Sequence, residues 1–289
     1  MKWEGRQGSR NIEDRRGKNV RRIGGGIGIG AILIALVAMF LGDDSALNSV
    51  IAEAAKGSGQ TTTSTNQEYN PSAQEQELAQ LVSVVLKETE DVWYEIFEQQ
   101  LGRNYQPATL VLFTGSTTSA CGGASSSTGP FYCPADRKVY IDLSFYDELR
   151  RKFKAPGDFA MAYVVAHEVA HHVQNLLGIT RQMDAQRGRV SKEQYNDLSV
   201  RLELQADFFS GVWAHHAHRR TGLLERGDLE EALTAAAAIG DDRIQMQSRG
   251  YTVPESFTHG TSEQRMRWLR RGLETGDVNQ GDTFSARVL

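Results

Sequence analysis

The chain has 289 residues, 40% hydrophobic and 24% charged, an ordinary globular composition with room for one sizeable domain or two small ones. Its net charge of −4 is unevenly spread: residues 1–22 hold eight basic and three acidic side chains (+5), residues 23–41 hold none, and the remainder carries −9. So acidic a body lacks the basic surface that a phosphate backbone requires, which excludes nucleic acid as a partner.

After the basic segment 1–22 comes an unbroken apolar run, IGGGIGIGAILIALVAMFL, residues 23–41. As a helix it would span about 28 Å, close to the hydrocarbon core of a bilayer. Its five glycines are tolerated in membrane spans. A cleaved signal peptide is the rival reading, although its apolar region is usually shorter and no clear A-x-A site follows Phe40. A buried core helix is the blander one. The expectation is a single transmembrane anchor in the lipid bilayer of the cell membrane. The positive-inside bias then places residues 1–22 in the cytoplasm and the body outside.

Residues 42–76 read as a linker. Small residues at 45–55 can extend the preceding helix briefly. KGSGQTTTSTNQEYNPSAQEQ, residues 56–76, has too few large apolar side chains to order itself. The folded body is expected over 77–289.

Leu78, Leu81, Val85, Trp93, Ile96 and Phe97 fall mostly at helical spacing before Gly102. ATLVLFTG (108–115) and RKVYIDLSF (137–145) read as strands, the second with one buried face. The Gly/Ser-rich loop between them holds both cysteines, Cys121 and Cys133. Their separation does not suit a short C-x₂₋₄-C zinc pattern. They are either free buried thiols or a disulfide worth ~3 kcal/mol, and an oxidising outside location favours the disulfide. From residue 158 onward the chain reads as helical. Helix, small sheet and helices in that order make an α+β pattern.

Asp158 can N-cap a helix that Gly178 ends. Inside it lies AHEVAHHVQ, residues 166–174. His167 and His171 are four apart, so both imidazoles point the same way and can reach one cation. Glu168 lies at the edge of that face, placed to take a proton from water at the metal. This H-E-x-x-H arrangement is a known zinc-protease signature. The blander reading is a pair of satisfied surface histidines. His172 points roughly 100° away from His171 and is not counted as a ligand.

A catalytic zinc needs a third protein ligand. ELQAD, residues 203–207, supplies Glu203, in a helix opened by the capping box of Ser191 and Gln194. Asp207, one turn on, can accept the outer ring N–H of a ligand histidine. Both acids could instead be solvated, but LELQADFFSGVW is too apolar for a simply exposed face.

HExxH followed by a helix with E-x-x-A-D resembles the gluzincin metallopeptidases, the membrane-bound HtpX type among them. THGTSEQR, residues 258–265, is similar to the T-H-P-x-x-x-x-R element of those enzymes, with Gly260 replacing the proline. Taken with the anchor, CGGASSSTGPFYCPADRKVYIDL and LELQADFFSGVWAHH, the chain resembles the YpfJ-like neutral zinc metallopeptidases of bacteria, roughly over 77–275. The resemblance implies a mainly helical, zincin-like domain with a small sheet. It further implies one Zn²⁺ held by His167, His171 and Glu203, and a peptide or protein substrate. The single span departs from the HtpX type, so no substrate class is carried over.

His259 could bond the oxyanion of a tetrahedral intermediate, and Arg265 could orient Asp207 or a nearby carbonyl. Their blander readings are a loop histidine and a helix arginine, because TSEQ is itself a capping box. His215, His216 and His218 suit a helix C-terminus better than a second metal. By the resemblance, strand 137–143 is expected at a sheet edge that could bind an extended peptide. The functional expectation is a membrane-anchored zinc peptidase with Glu168 as general base. A binding or assembly module with structural zinc, and a zinc amidase acting on cell-wall peptides, remain open alternatives.

Overall fold

The structure, a computed structural model, describes residues 1–17 and 69–289. The expected anchor at 23–41 and most of the expected linker at 42–76 lie outside them. Among the described residues no helix is long and apolar enough to cross a membrane. Contacts divide the chain into two compact units, Met1–Arg16 with Pro71–Leu289, and Gly17–Asn70.

The first unit corrects an expected boundary. Residues 1–16 are not a separate basic segment but part of the folded body. Strand β1 (Ile12–Asp14) pairs in parallel with β2 (Thr109–Phe113), Ile12 opposite Leu110. Trp3 is buried. Arg6 pairs with Glu88 at 2.9 Å, and Ser9 and Asn11 both donate to Glu90 at 2.6 and 2.8 Å. The Met1 amino group reaches Asp158 at 2.8 Å. Glu88 and Glu90 are buried on helix α1 (Ala73–Gln99), where a carboxylate needs a partner. The basic segment supplies it. The pairing is not local, because Glu88 lies 82 residues after Arg6 and Glu90 lies 79 after Asn11.

Four strands form a mixed sheet in the order β1-β2-β6-β5, with β5 (Phe131–Cys133) antiparallel to β6 (Lys138–Asp142). Strand β6 is therefore interior, which corrects the expected edge. Val139, Tyr140 and Ile141 are all buried, because Phe131, Cys133, Val111 and Phe113 cover the face its alternation suggested was wet. The edge on that side belongs to β5, inside the Gly/Ser-rich loop. Strands β3 (Ser116–Ser119) and β4 (Gly122–Ser125) make a hairpin, and the Cys121–Cys133 disulfide ties its turn to β5 with a Cα separation of 5.8 Å.

After a short helix α2 (Phe145–Arg151) comes α3 (Asp158–Leu177), closed by Gly178 at φ 82°. Its N-cap is Gly157 rather than Asp158. Helix α3 is buried along most of its length because α1, α5, α6 and the sheet pack around it. Helices α4 (Ile179–Asp184), α5 (Lys192–Thr221), α6 (Asp228–Ala238), α7 (Asp241–Arg249) and α8 (Ser262–Thr275) follow. The capping boxes of Ser191 with Gln194 and Thr261 with Gln264 open α5 and α8 as expected. Helices α5 and α8 cross at two glycines. A Cβ on Gly211 would lie 2.1 Å from the Leu269 carbonyl oxygen, and one on Gly272 would lie 2.0 Å from that of Phe208. This backbone-close crossing brings Arg265, two turns before Gly272, beside Asp207, one turn before Gly211. The α+β architecture, mainly helical with a small sheet, is the one expected.

Candidate metal centre

Helix α3 carries His167 and His171 on one face, their ring centroids 4.8 Å apart. Helix α5 packs across it and brings Glu203 between them. His167 Nε2 lies 3.1 Å from Glu203 Oε2, and His171 Nε2 lies 3.4 Å from Glu203 Oε1. The three ligand atoms all fall within 4.8 Å of one another. A tetrahedral ion with ligands at 2.0–2.2 Å separates them by about 3.4 Å, so the spacing of Glu203 from both histidines suits zinc.

The groups behind the ligands set their orientation. His167 Nδ1 meets Asp207 Oδ1 at 2.9 Å. Tyr163 donates to the same oxygen at 2.5 Å, and Arg265 donates to both Asp207 oxygens at 2.8 and 3.0 Å. Arg265 thus forks onto Asp207, and both are almost wholly buried. Burial alone would raise the Asp207 pKa, but Arg265 and His167 outweigh it and hold the carboxyl below its usual range. His171 is fixed by Gln174. That amide donates to the Leu202 carbonyl at 2.7 Å and to Gln205 at 3.1 Å, so its oxygen is left to accept from His171 Nδ1 at 2.9 Å. Both histidines thereby turn Nε2 toward Glu203. Burial opposes protonation of His167, yet Asp207 and Glu203 raise its pKa to about 10. A cation held by the same atoms would displace that proton.

Glu168 lies in the same cleft, and among the described residues no donor occupies its carboxylate. Burial raises its pKa against the pull of His171 and His167, which makes it a stronger base than a solvated carboxylate. His259 lines the cleft too. Its Nδ1 is 3.2 Å from Asp241 Oδ1, and Asp241 also accepts the backbone N–H groups of Thr258, His259 and Gly260. The cleft holds about 550 Å³ and is lined, besides these groups, by Phe131 and Tyr132 of β5 and by Phe145, Phe153 and Ile239. A roomier cleft of about 1030 Å³, between α4, α5 and the C-terminal residues, contains none of the triad, so volume does not mark the chemistry here.

His172 is fully buried rather than at the surface. It bonds Tyr132 and the Gln106 carbonyl, and burial lowers its pKa. His215 and His216 bond the Leu273 and Gly276 carbonyl oxygens at the end of α8. Neither joins a metal-ligating group among the described residues. Sequence reasoning missed Tyr163, Gln174, Asp241 and Tyr132. Tyr163 is four before His167 and Gln174 three after His171, so helical spacing alone could have found those two.

Two crossing helices that bring HExxH and ExxAD to one point define a centre of the gluzincin kind. The family described as "Putative neutral zinc metallopeptidase" matches residues 1–284, and the chain belongs to that family. An Escherichia coli (strain K12) protein, "Uncharacterized protein YpfJ", is 46% identical over 297 residues, covering all of both chains. An uncharacterized Mycobacterium tuberculosis (strain ATCC 25618 / H37Rv) protein is 47% identical over 195 residues, covering 64% of this chain and 65% of its own. No solved structure matches the chain.

Proposed function

We propose that the protein is a zinc-dependent peptidase with its centre at His167, His171 and Glu203. The observation that carries this reading is the convergence of two oriented imidazoles and one carboxylate beside a buried, unoccupied-by-donor Glu168 in an open cleft. Zinc held there supplies Lewis acidity toward a water and a carbonyl oxygen. Glu168 takes the proton of the attacking water and hands it to the leaving amine. His259, held through Nδ1 by Asp241, presents its other ring nitrogen to negative charge developing on the carbonyl oxygen. An extended peptide adds to the free edge of β5. Asp207 and Arg265 hold His167 in place without touching substrate.

A purely structural zinc site would have no use for a base with a raised pKa in the cleft, which favours the peptidase over the binding module. An amidase acting on cell-wall peptides uses the same residues, and a substrate panel separates the two. The deciding experiment measures zinc content and peptide hydrolysis together for wild type, Glu203→Ala and Glu168→Gln. One zinc per chain is expected in wild type and Glu168→Gln, with hydrolysis in wild type alone. Near-wild-type turnover in Glu168→Gln would sink the assignment.

A further inference from the structure

We propose that Tyr132 and His172 are positioning residues that lock the edge strand β5 onto the metal-binding helix α3. The inference rests on the peptidase reading for its consequence, though not for its geometry.

The donor roles are forced from one end. His172 Nε2 lies 2.6 Å from the Gln106 carbonyl oxygen, which can only accept, so Nε2 carries the proton. In the neutral ring Nδ1 is then an acceptor. Tyr132 Oη sits 3.0 Å from it and must donate. Asn175 Nδ2, 2.9 Å away, in turn donates to the Tyr132 oxygen. The chain runs Asn175 to Tyr132 to His172 to Gln106, with every partner satisfied. The Tyr132 hydroxyl has one proton and has given it to His172, so it is not available to the reacting carbonyl.

Strand alternation adds a second fastening. Phe131 and Cys133 point to the opposite face from Tyr132. Phe131 stacks on Tyr140 with ring centroids 4.8 Å apart, and Cys133 is bonded to Cys121 of the hairpin. Strand β5 is only three residues long and among the described residues pairs with β6 alone, so its ladder is a weak restraint. The Tyr132 chain ties it to α3 one residue past His171, on the same helix that carries the ligands. It thereby sets the distance between the peptide-binding edge and the metal centre.

The test uses the full chain loaded with zinc, as wild type, Tyr132→Phe and Asn175→Ala. Amide hydrogen exchange without substrate reads the lock, and the KM and kcat of an extended peptide read its consequence. For Tyr132→Phe, exchange at Phe131–Cys133 should rise about tenfold while α3 and the zinc content stay unchanged. KM should rise about tenfold with kcat within about threefold. Inhibition by acetohydroxamate, a probe too small to reach β5, should not change. Asn175→Ala should move the same quantities less. Unchanged exchange at β5 overturns the lock. A fall in kcat at constant KM overturns the positioning role and makes Tyr132 a group that acts on the reacting atoms. Absence of hydrolysis in the wild type would count against the peptidase reading, while exchange would still decide the lock.

Discussion

Arg265 of α8 and Asp207 of α5 form two hydrogen bonds, at 2.8 and 3.0 Å, in a place where neither is more than 1% exposed. The same carboxylate holds His167 Nδ1 at 2.9 Å. The position of a metal ligand on α3 is therefore set by a helix that contributes no ligand. Removing Arg265 would leave Asp207 buried without its counter-charge, which costs about 3–5 kcal/mol. Arg265→Ala is expected to lower stability by that order and zinc affinity by about 10–100-fold. Denaturant unfolding and zinc titration check both. Arg265→Lys should rescue only part, because one ammonium cannot reproduce the fork onto both oxygens. An unchanged unfolding midpoint in Arg265→Ala would refute the network.

The pairing depends on the glycine crossing. In Gly272→Ala the added methyl would meet the Phe208 carbonyl oxygen at 2.0 Å and the Val212 nitrogen at 2.9 Å. Both are backbone and cannot swing aside. Alanine would gain about 1 kcal/mol of helix propensity, and the forced separation of α5 and α8 should outweigh it, costing about 1–3 kcal/mol net. Zinc affinity should fall with it, because Arg265 moves with α8. A stabilised Gly272→Ala with full zinc affinity would show that the crossing is not what aligns the pair.

Much of the centre was legible because it lies within helices, where spacing fixes direction. His167 and His171 are one turn apart, Glu203 and Asp207 likewise, and capping signals at Ser191 and Thr261 located two of the helices. What failed was long-range pairing. Strand β1 has one apolar residue in three, and its partner β2 lies nearly 100 residues away. Strand β5 hides in a Gly/Ser-rich loop because its three residues are too few to establish a period. Strand β6 alternates like a half-exposed strand, yet Tyr140 is covered by the stacked Phe131. Asp241 was invisible because its role lies in a loop 18 residues later.

The His259–Asp241 pair carries a pH signature. Desolvation opposes protonation of the half-exposed His259, but the Asp241 and Glu203 carboxylates together raise its pKa. A protonated donor at this position is present below that raised pKa and lost as pH rises through it. The alkaline limb of kcat/KM should therefore lie above the ordinary histidine range. Asp241→Asn keeps an oxygen for the backbone N–H groups and removes the charge, so the limb should move to lower pH. A limb that stays put in Asp241→Asn, or that persists in His259→Ala, would assign it to another group.

The docking of residues 1–16 bears on which side of a membrane each part of the chain occupies. Strand β1 is hydrogen-bonded into the sheet, Arg6 and Asn11 partner buried carboxylates of α1, and Arg16 reaches the Glu75 backbone oxygen at 3.4 Å. Both flanks of segment 17–70 are thus held on one body, beside each other. A single crossing by residues 23–41 would put those flanks on opposite faces of the bilayer, and this fold would have to open to allow it. The expected outcome is that residues 1–16 and the body share one compartment, in place of a cytoplasmic start and an external body. Cysteines introduced at Gln7 and at Tyr251, both exposed, report this with a membrane-impermeant maleimide on intact and permeabilised cells. Both should label, or both should be protected, in intact cells. Protection of Gln7→Cys with labelling of Tyr251→Cys would restore the single crossing, and would mean that β1 leaves the sheet in the membrane-bound protein.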